Sequence, residues 1–141
     1  MTEELYWLTL TAAATLFMGF PYVLERIFRI GGLGAANYSS EGTAGFDQST
    51  ETPAAWAARA FRAHRNAVES LAIIAILVLT AHVAGVKDAN ILLGVQIYFF
   101  ARVAHYVVYV LGLPVIRPLV YFTAWGGMAL IAYTLLISQA A

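Results

Sequence analysis

Arg62, Arg65, Asn66 and Glu69 recur at i, i+3, i+4 and i+7 within Arg62-Ala63-His64-Arg65-Asn66-Ala67-Val68-Glu69. On a helix that spacing puts two guanidinium groups, an amide and a carboxylate on one face. Each guanidinium offers a planar fork of donors that matches a carboxylate. Glu69 can accept a ligand ammonium or pair with Arg65 one turn away. The chemistry on offer is therefore recognition of a small, multiply charged ligand. The plainer alternative is a basic flank at the end of a membrane span, with its charges in structural ion pairs.

Two further groups carry the same kind of signal. Arg102, His105 and Tyr109 stand at i, i+3 and i+7 of a later apolar run. The imidazole and phenol can hydrogen-bond a polar ligand. Arg102 can neutralise Glu69 on a neighbouring helix, the usual solution for two charges in a bilayer, and the alternative is an internal helix–helix network. Arg117, followed by Pro118 and Tyr121, opens the last apolar run. The helix dipole disfavours a cation at an N-terminus, but an arginine there together with free backbone N–H groups attracts an anion. The alternative is an interfacial anchor with Tyr121 in the aromatic belt. His64, on the far side of its helix from the cluster, reads as exposed or interfacial, and His82 stands alone, with no second ligand spaced to form a metal site.

The elements that must position these groups are membrane spans. Of 141 residues, 61% are hydrophobic and 11% charged, against about 25% charged in soluble domains. A span takes roughly 20 apolar residues, and four such runs occur, at about 5–24, 54–84, 89–111 and 115–138. This predicts an all-α, integral membrane four-helix protein with one domain over 1–141. The acidic Met-Thr-Glu-Glu start and the length of the first run argue for a retained span rather than a cleaved signal. Gly85 and Lys87-Asp88 mark one tight connection, Gly112 and Pro114 another. Residues 30–52 hold Gly31-Gly32, Gly34, Gly42 and Gly45 among acidic and hydroxyl side chains, and read as a polar loop.

Arg26, Arg29, Arg59, Arg62 and Arg65 flank the first loop and Arg117 the third, against Lys87 on the other side. The positive-inside rule then places the first and third loops in the cytoplasm and both termini outside. Zero net charge implies no bulk attraction to nucleic acid. With no cysteine in the chain, any thiol chemistry must use a thiol brought by a ligand.

Arg-Ala-His-Arg-Asn-x-x-Glu at 62–69, Arg-Val-Ala-His-x-x-x-Tyr at 102–109 and Arg-x-x-x-Tyr at 117–121 resemble the signatures of the MAPEG family, the membrane-associated proteins in eicosanoid and glutathione metabolism. The resemblance is to a bacterial-type member, similar to microsomal glutathione transferases. It implies a left-handed four-helix bundle, a homotrimer, and residence in a bacterial inner membrane. It also implies glutathione as co-substrate, bound near the cytoplasmic face between subunits, and a hydrophobic small-molecule electrophile arriving through membrane lipid. Carried over by position, Arg62, Arg65, Asn66 and Glu69 hold the carboxylates and amine of glutathione, and His105, Tyr109 and Tyr121 line the same pocket. Arg117 faces the sulfur as the catalytic group, Arg102 is a structural partner of Glu69 or a neighbour, and either Arg26 or Arg29 reaches the site from the first span. No metal is implied. Pro118 stands where a prostaglandin-forming branch of the family carries serine, so that reaction is not expected. The long glycine-rich loop suits a second reading, a non-catalytic MAPEG-like membrane protein that binds a lipid or a partner complex in this pocket.

Overall fold

The first apolar run carries two helix breakers, Gly19 and Pro21, neither of which ends its helix, and the first paired glycines come only at Gly31-Gly32. In the computed structural model, which describes residues 1–30 and 54–138, it forms one long helix, α1 (Glu3–Ile30). The helix runs six residues past the end expected from hydropathy at 24. Hydropathy reports where the hydrocarbon ends, whereas a helix ends where its backbone ladder is broken. Glu25, in that extension, accepts the N–H of Ala54 at 3.0 Å. It thereby holds the start of the next helix, α2 (Ala55–Val83), which has no side-chain cap of its own. The predicted 30–52 loop falls, apart from Ile30 at the end of α1, outside the described residues.

Helix α3 (Ala89–Leu111) begins at Asp88, whose carboxylate accepts the Asn90 N–H at 2.8 Å, a side-chain N-cap. It ends at Gly112, with φ of +81°. There Gly112 N–H and Leu113 N–H both reach Val108 O at 3.1 Å, a left-handed terminus that glycine adopts without strain. Arg59 of α2 donates Nε–H to Val110 O at 3.0 Å and so ties the same corner to α2. Helix α4 (Ile116–Ser138) follows directly.

All four helices are long and apolar enough to cross a membrane. Large apolar side chains such as Phe17, Phe100, Leu119, Phe122 and Leu136 are more than half exposed on the outside, as a lipid-facing surface requires. Burial of apolar surface from water drives little in that setting; close packing and interhelical hydrogen bonds hold the helices together. Helices α1 and α3 run parallel, with Trp7 edge-on to Phe99 at 5.3 Å and Tyr106 O–H donating to Met18 O at 3.0 Å. Helices α3 and α4 meet closest at Gly94 and Gly127. A Cβ at Gly94 would lie 2.8 Å from Gly127 O, and one at Gly127 would lie 2.6 Å from Gly94 O. The core includes Ile74, Val78, Ile91, Val95, Tyr98 and Ile131, with Tyr98 at its border with Arg102.

Candidate functional site

At the end of the bundle where α1 and α3 finish, α2, α3 and α4 line an open cavity of about 540 Å³. Helix α2 supplies Arg62, Arg65, Asn66 and Glu69, the i, i+3, i+4, i+7 face. Helix α3 supplies His105 and Tyr109 from successive turns, and α4 supplies Arg117, Pro118 and Tyr121 from its first two turns. Every ligand-binding or catalytic candidate named from the sequence thus lines one cavity within one chain. Arg26 lies on α1, outside that lining, and the Arg29 side chain is outside the described residues.

The groups differ in how firmly they are held. Arg65 Nε–H donates to Glu69 Oε1 at 3.1 Å, but both side chains are about 60% exposed. Such an exposed i,i+4 pair is worth only about 0.3–0.5 kcal/mol, so either partner can leave it for a ligand. Arg62 is exposed as well. The opposite wall is aromatic. His105 is 5% exposed, with Tyr109 at 5.4 Å and Tyr121 at 6.0 Å between ring centroids. The Arg117 guanidinium carbon sits 4.4 Å from the centroid of the Tyr109 ring, within cation–π range. Its buried Nε has no hydrogen-bond partner among the described residues. A buried donor left unpaired is costly, and an anionic ligand atom in the cavity would remove that cost.

Arg102 departs from the sequence expectation. It does not pair with Glu69; its Nη1–H donates to Asn66 Oδ1 at 2.6 Å. The reason is register between antiparallel helices. Ser70 and Tyr98, four residues further along α2 and four back along α3, also meet, with their hydroxyls 2.8 Å apart. Asn66 is thus opposite Arg102, while Glu69 points out toward Arg65. Arg102 is 3% exposed and lies 5.3 Å from the Tyr98 ring and 5.6 Å from that of Tyr121. It stands behind the cavity lining and fixes the Asn66 amide by its oxygen.

His64 also differs from expectation. It is on the far face of α2 as predicted, but it is half-buried there, its Nδ1 2.8 Å from the Tyr22 hydroxyl of α1. Three supporting residues had no place in the sequence reading of the site. Arg59, one turn before Arg62, pins the α3–α4 corner that presents Tyr109 and Arg117, and Ser70 with Tyr98 sets the α2–α3 register. The spacing of Arg59 from Arg62 was a visible signal for the first; nothing in a single helix's periodicity signals the other two. Among the described residues no cluster of His, Asp or Glu could hold a metal ion.

Asn66→Leu is expected to strip the only hydrogen bond that Arg102 makes among the described residues. The cost should be about 1–3 kcal/mol, read as a fall in the midpoint of thermal unfolding in detergent; no change would mean that Arg102 finds other compensation.

The model of one protein family matches the chain, that of the MAPEG family, over residues 5–137. No curated protein matches it.

Proposed function

The chain belongs to the MAPEG family and is an integral, multi-pass membrane protein of that glutathione and eicosanoid family; from this premise we propose that it is a glutathione-dependent transferase or peroxidase acting on hydrophobic electrophiles. The observation that carries the proposal is the asymmetry of the cavity. One wall offers forked cations, an amide and a carboxylate in weakly held pairs. The other offers Arg117, braced on Tyr109 with an unpaired buried donor. Glutathione has two carboxylates and an ammonium for the first wall, and a thiol for the second.

In this reading Arg62 and Arg65 take the carboxylates, Glu69 exchanges Arg65 for the ligand ammonium, and Asn66 donates its amide N–H. The sulfur is placed against Arg117. A free thiol has a pKa of about 8.5, and a guanidinium within a few ångströms favours its ionised form. The thiol proton leaves to water at the open end of the cavity, so no protein base is required. The thiolate then forms a carbon–sulfur bond with an electrophile from the lipid, which expels its leaving group. With a lipid hydroperoxide, the thiolate instead takes the terminal oxygen to give a sulfenic acid and an alcohol. A second glutathione then converts the sulfenic acid to the disulfide and water. The proposal includes the family's homotrimer, and an orientation with the arginine end cytoplasmic, which the basic residues around it support.

Arg62→Ala tests the clamp. The dissociation constant for glutathione should rise by about tenfold or more, the worth of one charge-assisted hydrogen bond. Turnover at saturating glutathione should be spared. An unchanged constant in a calorimetric titration would contradict the role given to Arg62.

A further inference from the structure

At the opposite end of the bundle a second cavity, of about 450 Å³, lies between the first turn of α1, the last turn of α2 and the start of α3. From Asn66 to His82 along α2 is 16 residues, or about 24 Å at 1.5 Å per residue, so this cavity is at the other membrane surface and takes no part in chemistry at the arginine site. Its accessible apolar lining is Val86 and Leu92, both partly exposed, over the fully buried Val78 and Ile91.

The rim carries both signs of charge from different elements. Glu3 and Glu4 come from α1, and Lys87 comes from the α2–α3 turn. Asp88 is engaged in capping α3. Glu3, Glu4 and Lys87 make no side-chain hydrogen bond or ion pair with any described residue. Two carboxylates and an ammonium therefore face a chamber with an apolar floor, at the depth where spanning helices leave the hydrocarbon.

We propose that this cavity binds the headgroup of a phospholipid with a primary ammonium, of the phosphatidylethanolamine class. The ligand ammonium goes to Glu3 and Glu4, its phosphate to Lys87, and the first carbons below the phosphate to Val86 and Leu92. The size fits a headgroup with its glycerol but not the chains, which continue along the exposed apolar surface of the spanning helices. A choline headgroup has the charge but no N–H to donate to the carboxylates. A glycerol headgroup leaves Glu3 and Glu4 beside a phosphate with no cation between them.

The test is a titration of the purified protein in detergent, followed by native mass spectrometry, with dioleoyl phosphatidylethanolamine, phosphatidylcholine and phosphatidylglycerol in parallel. The ethanolamine lipid should bind saturably, one per chain, about tenfold more tightly than the other two. That preference should vanish in the double variant Glu3→Gln, Glu4→Gln, and the affinity should fall about tenfold in Lys87→Gln, a substitution at an exposed turn position. Equal affinity for the three lipids, a preference for the glycerol lipid, or a preference that survives both variants would overturn the proposal. The outcome is independent of whether the arginine site takes glutathione.

Discussion

Arg117→Ala is expected to abolish thiolate formation while glutathione still binds. The clamp residues Arg62, Arg65, Asn66 and Glu69 sit on α2 and are untouched by the change, so the dissociation constant should move little. The thiol, however, loses its nearby guanidinium. If Arg117 lowers the thiol pKa from about 8.5 to about 6.5, within the range of one to three units for an adjacent opposite charge, roughly three-quarters of the bound thiol is ionised at pH 7. Without Arg117 the fraction falls to about 3%. Turnover at neutral pH should drop by about 20-fold or more and recover as pH rises toward 8.5, because a depressed thiol pKa confers its advantage only below the ordinary value. Tyr109→Leu should do part of the same damage by removing the ring that braces the guanidinium, whereas Tyr109→Phe should not. Equal loss of binding and ionisation in Arg117→Ala would make Arg117 one more clamp residue and leave the thiolate without a stabiliser.

The second large effect concerns adjacent glycines. A Cβ at Gly127 would meet Gly94 O at 2.6 Å and Tyr98 N at 3.1 Å, and both are backbone atoms that cannot turn aside. Gly127→Ala must push α3 and α4 apart. Overpacking a core costs about 1–3 kcal/mol, and a backbone obstacle places this case at or above the upper end. At Gly126 nothing lies within 4 Å of the added atom, so Gly126→Ala should be neutral or stabilising by about 0.5–1 kcal/mol through helix propensity. Thermal unfolding of the two variants in detergent, side by side, reads the difference. Similar midpoints would mean that the helices do not meet at these glycines. The same separation would move Arg117 away from His105 and Tyr109, so Gly127→Ala should also weaken thiolate formation in whatever protein remains folded.

What could be read from the residues follows from the geometry of a single helix. The 62–69 face, the 102–109 face and the run from Arg117 to Tyr121 each needed only the 3.6-residue period to place their groups together. The three later helices fall within a residue or two of their hydropathy limits, because Asp88, Gly112 and Pro114 mark the breaks. The relation between helices was not legible. Asn66 and Glu69 are both on the correct face to meet α3, and only the register set by Ser70 and Tyr98 makes Asn66 the partner of Arg102. His64 read as exposed or interfacial because its neighbour, Tyr22, belongs to a helix with no polar motif to match it. The extension of α1 past residue 24 was missed for a third reason: Glu25 and Arg26 end the hydrocarbon run but do not interrupt the backbone ladder.

The proposed function stands or falls with glutathione binding and thiol ionisation in the arginine-end cavity. The most direct measurement is the ultraviolet difference absorbance of the thiolate as glutathione is titrated into the purified wild-type protein at pH 7, with S-methyl glutathione as the analogue that occupies the site but cannot ionise. A thiolate signal that saturates with glutathione and is displaced by the S-methyl form is the predicted result. Saturating thermal stabilisation by both ligands without a thiolate signal would contradict the activation step, and neither signal nor stabilisation would contradict glutathione as the ligand of this cavity.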